Sequence, residues 1–235
     1  MGRRAIEVAA EAYGSGAFAD PRNNRPRTLL GTGGIFGREG GIMALDLVVI
    51  YGSVRSDRQG IRFARYMVRR LEAAGHRVQL LDPLELTLPL LDRMYKEYAA
   101  GTAPAALEKI ASIIKPADGF VIVSGEYNNG IPPALKNLLD HFLEEWFWRP
   151  SAIACYSTGS FGGVRAAMQL RACLAEMGMP SIPSILPVPK VQDAFAMDGT
   201  PVDAAAWTKR SGKFLAEFEW YVRALASERA KGTPY

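Results

Sequence analysis

The chain has 235 residues, 49% of them hydrophobic and 22% charged, with a formal net charge of +4. That apolar content supports one sizeable core rather than two full domains and argues against wholesale disorder. No dense Lys/Arg block stands out, so nucleic-acid binding has no support, while a modest positive field suits anionic ligands. Cys155 and Cys173 have neither CxxC spacing nor a Cys/His cluster beside them, which argues against zinc or another metal and for reduced core thiols. No apolar run is long enough to cross a bilayer, and Arg3 and Arg4 are not followed by the compact apolar segment of a secretory signal. The expectation is a soluble, cytoplasmic protein without membrane partners.

Residues 1–43 differ from the rest: they are rich in glycine, with Pro21, Pro26 and several arginines, a composition of loop or disorder. Two readings stay open. Translation starts at Met43, directly before the first convincing strand, or the segment is an arm that wraps a neighbouring subunit. The expected division is a disordered or extended segment over 1–43, a folded domain over 44–228 and a tail over 229–235.

From residue 45 the pattern is regular. Leu45–Tyr51 is a short apolar strand followed by Gly-Ser. Residues 60–74 form a helix with Ile61, Ala64, Val68 and Leu71 on one face, stopped by Gly75. Arg77–Leu81 is a second strand, and residues 82–100 form a long connection with Pro83 and Pro89. Pro104 opens a helix over 104–115. Gly119–Ser124 is a third strand, apolar on both faces, and Ile131–Trp148 carries apolar residues at helical spacing. Ala152–Ser157 is a fourth strand, residues 162–177 a helix ended by Gly178, and Ser181–Ile185 a fifth strand. A last helix over about 202–228 carries Trp207, Phe214, Phe218, Tyr221 and Leu225 on one side. This β-α alternation, with continuously apolar strands, predicts a doubly wound five-stranded parallel sheet with helices on both faces. Five strands fit the order 2-1-3-4-5, whose ligands sit beyond the carboxyl ends of the strands at the switch point.

Three loops fall there. Gly52-Ser53-Val54-Arg55-Ser56-Asp57-Arg58-Gln59-Gly60 leads straight into a helix. Backbone N–H groups at a helix start, hydroxyls of Ser53 and Ser56, the Gln59 amide and the Arg55 or Arg58 guanidinium supply donors for a phosphate. The same residues also suit an ordinary capped polar turn. In Ser124-Gly125-Glu126-Tyr127-Asn128-Asn129-Gly130, an aromatic among small polar residues suits a flat heterocycle, or a Gly/Asn turn before a proline-started helix. Ser157-Thr158-Gly159-Ser160-Phe161-Gly162-Gly163 lets backbone approach a ligand closely, although glycine-rich turns of this kind are common.

Gly52-Ser53-Val54-Arg55, Glu126-Tyr127-Asn128, Pro133 with Leu135-Lys136-Asn137 and Asp140, Gly162-Gly163, Ala194-Phe195 and Asp198-Gly199 together resemble the NADPH-dependent FMN reductase family, which includes quinone, azo and chromate reductases. The resemblance covers about residues 45–225. Arg58 stands where the family pattern has a second serine, and Gly125 where it has a proline. The resemblance implies a flavodoxin-like FMN-binding domain with NADPH or NADH as co-substrate. It implies FMN phosphate at Ser53, Arg55 and the backbone of Arg58, Gln59, Gly60 and Ile61, ring contacts from Glu126, Tyr127, Asn128 and Asn129, and Ser157 nearby. It further implies a homodimer or a dimer of dimers, and ping-pong transfer of electrons to small-molecule quinone, azo, metal-ion or free-flavin acceptors. The flavin carries the chemistry, so no side chain is assigned as a catalytic acid or base.

Other readings fare worse. Gly31–Gly37 lacks the strand and helix of a dinucleotide loop, Thr158 breaks a G-x-S-x-G elbow at Ser160, and no G-x-x-x-x-G-K-[ST] occurs. His76 and His141 read as surface or structural, and Trp146, Phe147 and Trp148 as core, interface or flavin cover. The rival class is a non-enzymatic flavodoxin-like electron carrier or redox-responsive module, against which the net basic charge argues, since carriers dock through acidic surfaces. An arsenical-resistance flavoprotein ranks lower, because its second loop differs from Glu126-Tyr127-Asn128-Asn129.

Overall fold

The computed structural model describes residues 43–235; the rest of the expected segment 1–43, including Gly31–Gly37, lies outside the described residues. Strands β1 (Asp46–Tyr51), β2 (Arg77–Leu81), β3 (Gly119–Ser124), β4 (Ser151–Tyr156) and β5 (Ser181–Val188) form one parallel sheet in the order β2-β1-β3-β4-β5. Registers such as Tyr51↔Val123 and Val123↔Ala154 bring the carboxyl ends of β1, β3 and β4 side by side.

Side-chain alternation divides the apolar residues between two faces. Leu47, Val49 and Tyr51 of β1, Val121 and Val123 of β3, and Ala152, Ala154 and Tyr156 of β4 pack with helices α1 (Ile61–Ala73) and α6 (Ala204–Arg229). Val48, Ile50, Phe120, Ile122, Ile153 and Cys155 pack with α2 (Ala105–Ile114), α3 (Pro133–Asp140) and α4 (Val164–Glu176). A short helix α5 (Val191–Ala194) precedes α6. β3 and β4 are buried at every position, as strands covered on both faces must be. This is the flavodoxin-like arrangement expected from the sequence.

Several expected element bounds shift by one or two residues, and three further differences bear on the core and the site. The apolar spacing over Ile131–Trp148 is not one helix, because α3 stops at Asp140 and only a single 3-10 turn follows at Glu144–Trp146. The cause is Trp146, whose indole N–H is shared by the Leu139 and Phe142 carbonyls at 3.1 Å each, taking acceptors that a continuing helix would use. Its fully buried ring sits edge-on to Phe120 at 5.0 Å, so the residues that looked like a helical stripe are core by another route. β5 runs past Ile185 to Val188 and contains Pro183 and Pro187, which an edge strand accommodates because half its backbone groups lack ladder partners. β4 ends at Tyr156, one residue early, which leaves Ser157 as the first residue of its loop.

No helix among the described residues is long and apolar enough to cross a membrane. Both histidines are buried and structural: His76 Nδ1 accepts from the Leu45 amide at 3.3 Å, and His141 Nδ1 lies 2.7 Å from the Asn137 carbonyl.

Candidate active site

The loop after β1 is anchored at its start, where the Gly52 amide donates to the Val123 carbonyl at 3.0 Å. It ends at Gly60, the residue before α1. The first helical bond runs from the Ala64 amide to the Gly60 carbonyl, so the amides of Ile61, Arg62 and Phe63 precede it. No side chain caps this end and no acidic residue lies in the first turn. Uncapped amides at the positive end of a 13-residue helix favour an anion.

Beside this helix end lies a cleft of about 330 Å³ at the carboxyl ends of β1, β3 and β4. Ser53, Arg55, Arg58 and Gln59 bound it on one side, and Glu126, Tyr127, Tyr156 and Ser157 on the other. Seven of the sequence-derived site residues thus meet in one place. Gly60 lies under the Tyr156 ring, Ile61 is buried at the start of α1, and Asn128 and Asn129 shape the wall without lining it. Two depressions of about 500 and about 600 Å³ lie beside Arg149 and Lys115, at the amino-terminal ends of β3 and β4, and a third of about 360 Å³, lined largely by apolar residues, lies between Pro83–Leu90 and the start of α3, beside Val54.

The side chains in the cleft have separate assignments. Ser53 Oγ is 3.1 Å from Tyr127 Oη, so the phosphate-type loop and the second loop already touch. The Arg55 guanidinium has no acidic partner among the described residues. Arg58 instead pairs with Asp82 just beyond β2. Gln59 is held by its neighbours, donating to Asp57 and accepting from Arg62.

The second loop owes its shape to two asparagines. Tyr127 and Gly130 exchange backbone hydrogen bonds of 3.1 and 2.8 Å around Asn128 (φ 50°) and Asn129 (φ 68°). Two consecutive left-handed residues make a type I′ turn, for which asparagine is among the best-suited side chains. The turn is clamped to α4. Glu126 Oε2 accepts from the Arg165 and Ala166 amides at 3.0 and 3.4 Å, Oε1 pairs with the Arg165 guanidinium, and Gln169 Nε2 donates to the Asn129 carbonyl at 2.9 Å. Glu126 therefore presents its backbone, rather than its carboxylate, to the cleft.

In the third loop the Ser157 hydroxyl accepts from the Gly162 amide at 2.8 Å and donates to the Gly159 carbonyl at 2.9 Å, closing the loop on itself. Gly163 has φ 79°, and a Cβ there would lie 2.6 Å from the Tyr156 carbonyl oxygen, so the backbone admits only glycine.

Tyr51, Tyr156, Asp82 and Arg165 are neighbours of the cleft and its loops that the sequence pattern did not single out. Tyr51 and Tyr156 end their strands as apolar-looking core residues, yet Tyr156 Oη donates to Tyr51 Oη at 3.2 Å under the cleft. Burial holds both phenols above the ordinary tyrosine range, so the cleft floor is lined by neutral hydroxyls.

This donor set fits a phosphate monoester carrying a flat ring system. The Ser53 hydroxyl and Arg55 line the cleft that lies beside the uncapped start of α1, and no acidic residue lies in the first turn of α1; the Asp57 carboxylate, which also lines the cleft, is bonded to the Gln59 side-chain amide. The rigid Glu126–Gly130 turn borders the adjacent space.

Comparison with known proteins agrees with this geometry. The NADPH-dependent FMN reductase family matches residues 45–193. An NAD(P)H-dependent FMN reductase of Schizosaccharomyces pombe is 33% identical over 185 residues, covering 73% of this chain and 86% of that protein. An NADPH azoreductase of Bacillus sp. (strain OY1-2) is 31% identical over 140 residues, covering 59% of this chain and 74% of that protein. Among solved structures, the flavoenzyme NAD(P)H:(acceptor) oxidoreductase FerB of Paracoccus denitrificans has a TM-score of 0.61 at 22% identity, covering 77% of this chain and 98% of that one, a likeness of fold. With the strand order, the switch-point cleft and these matches in agreement, the chain belongs to the NADPH-dependent FMN reductase family and is an oxidoreductase that works with FMN and NAD(P)H.

Proposed function

We propose that the cleft holds FMN with its phosphate on Ser53, Arg55 and the backbone from Arg58 to Ile61, and its ring along Glu126–Asn129 with Ser157 beside it. The enzyme then reduces small-molecule acceptors of the quinone, azo, metal-ion or free-flavin class. The observation that carries this reading is the uncapped start of α1 opening onto a cleft that Arg55 enters without an acidic partner among the described residues. FMN held there would supply the redox chemistry that links NAD(P)H oxidation to acceptor reduction, and we propose that the two substrates react in turn, in a ping-pong order.

The protein binds and orients. Helix amides and Arg55 neutralise the phosphate, since charge-assisted bonds in a partly dry cleft are the strong ones. The type I′ turn, held by Glu126 and Gln169 to α4, sets the height of the wall against which the ring lies. Ser157, bonded to the Gly162 amide and the Gly159 carbonyl, holds the third loop in place beside that space. Tyr51 and Tyr156 remain protonated and offer hydroxyls beneath it. No side chain is needed as a proton donor or base.

We further propose a homodimer or a dimer of dimers as the working state, which sedimentation of the FMN-loaded protein tests. For the activity, the FMN-loaded chain is mixed with NADPH or NADH and a panel of quinone and azo acceptors. Acceptor-dependent nucleotide oxidation with parallel-line kinetics supports the reading. Tight flavin binding without nucleotide oxidation supports the electron-carrier alternative.

A further inference from the structure

Arg55 and Arg58 share one loop but not one environment. Arg58 Nη1 is paired with Asp82 Oδ1 and lies 3.5 Å from the Ser53 carbonyl oxygen, and the guanidinium carbon sits 5.4 Å from the Tyr51 ring centroid. The two paired side chains are 16% and 4% exposed, so the pair is largely withdrawn from water. Asp82 Oδ1 also accepts from the Leu84 amide at 3.0 Å, capping the 3-10 turn Pro83–Glu85. Asp82 is therefore fixed from its own side, and Arg58 is fixed to it. Burial works against the Arg58 charge, but the hydrogen bond and charge of Asp82 outweigh it and hold its pKa above the usual arginine value.

The pair joins the loop after β1 to the end of the neighbouring strand β2. Swinging Arg58 onto a phosphate would leave the Asp82 carboxylate buried without its cation, and an uncompensated buried charge is strongly unfavourable. Arg55 bears no such cost, since it leaves no acidic partner behind among the described residues.

We infer that Arg58 and Asp82 act together as a positioning pair, holding the Gly52–Gly60 loop with its backbone donors converged before FMN arrives, while Arg55 meets the phosphate charge. Arg58 thus acts through the loop backbone and not as a phosphate ligand. This rests on the reading that the loop takes the FMN phosphate.

The test is a fluorescence titration of the apo full-length chain with FMN and, separately, riboflavin, for wild type, Arg58→Met, Asp82→Asn and the double variant, with thermal midpoints recorded. Each single variant is expected to weaken FMN by about tenfold or more, the double variant no further than the weaker single, and riboflavin far less. Unchanged or tighter FMN binding in Asp82→Asn overturns the inference, because Arg58 freed from Asp82 would then serve the phosphate directly. Losses that multiply in the double variant overturn it too, since the two residues would act independently. Equal weakening of FMN and riboflavin with lowered midpoints assigns the pair to the fold alone and overturns it as well. Failure of the wild type to bind FMN is a different result and refutes the site reading itself.

Discussion

The Tyr156 ring rests on the backbone of Gly60: a Cβ built on that glycine would lie 1.9 Å from Tyr156 Cζ. Tyr156 ends β4 and Gly60 opens α1, so the ring reaches across the end of β3 to touch the phosphate-type loop. Gly125 makes room on the way, since its own Cβ would be 3.1 Å from Tyr156 Oη. Gly60 has ordinary helical angles, φ −72° and ψ −9°, so close approach and not a left-handed backbone demands glycine there. Gly60→Ala must push the ring or the first turn of α1 aside. The expected result is FMN affinity lower by about tenfold or more, partly regained in Gly60→Ala/Tyr156→Ala, read by flavin fluorescence titration.

Arg55→Ala removes the cation that no carboxylate claims among the described residues. FMN binding should weaken by about 1.5–3 kcal/mol, the range for a hydrogen bond to a charged group, while riboflavin binding stays near the wild-type value. Calorimetric titration with both ligands checks this. Equal FMN affinity in variant and wild type would show that the phosphate is met elsewhere.

The physical task of Glu126 is visible in its bonds to the Arg165 and Ala166 amides and the Arg165 side chain. It acts as an acidic partner at the start of α4, where negative charge is favoured. Glu126→Ala leaves those amides and Arg165 without it, and stability should fall by about 1–3 kcal/mol in urea unfolding. Because the same residue fixes the turn at Asn128-Asn129, FMN affinity should drop as well. Glu126→Gln keeps the shape and should lose less of both.

Cys155 is expected to be inert. Burial pushes its thiol up to about 12, so at pH 8 only about one molecule in ten thousand carries the reactive thiolate. Burial also raises Cys173, which is only half-buried. Mass spectrometry after alkylation of the native protein should find Cys155 unmodified and any adduct on Cys173. Rapid labelling of native Cys155 would contradict the packing of β4 against α4.

The fold was legible because β1, β3 and β4 are nearly continuous apolar runs ending in polar turns, the pattern of strands covered on both faces of a parallel sheet. Ile131–Trp148 misled because periodicity cannot distinguish a buried helix from a short helix plus a buried turn, and one indole N–H decided between them. Ser53, Arg55, Glu126, Tyr127 and Ser157 stood out in the sequence as candidates because strand ends carry ligands in this topology, and the structure gathers them around one cleft. The partner of Arg58 was not legible. Asp82 sits 24 positions away, and only the pairing of β1 with β2 brings it beside the loop. Tyr51 and Tyr156 were hidden for a related reason, since a strand-end tyrosine reads as core until the neighbouring strand ends are in place.

FMN-dependent electron transfer is tested most directly by anaerobic stopped-flow reduction of the FMN-loaded protein by NADPH and by NADH, followed by mixing with a quinone. The purified chain is expected to retain FMN, its visible flavin absorbance to bleach on mixing with at least one of the two nucleotides, and the quinone to restore that absorbance without a further nucleotide being present. A chain that retains no FMN, or retains it and is reduced by neither nucleotide, would contradict FMN-dependent electron transfer.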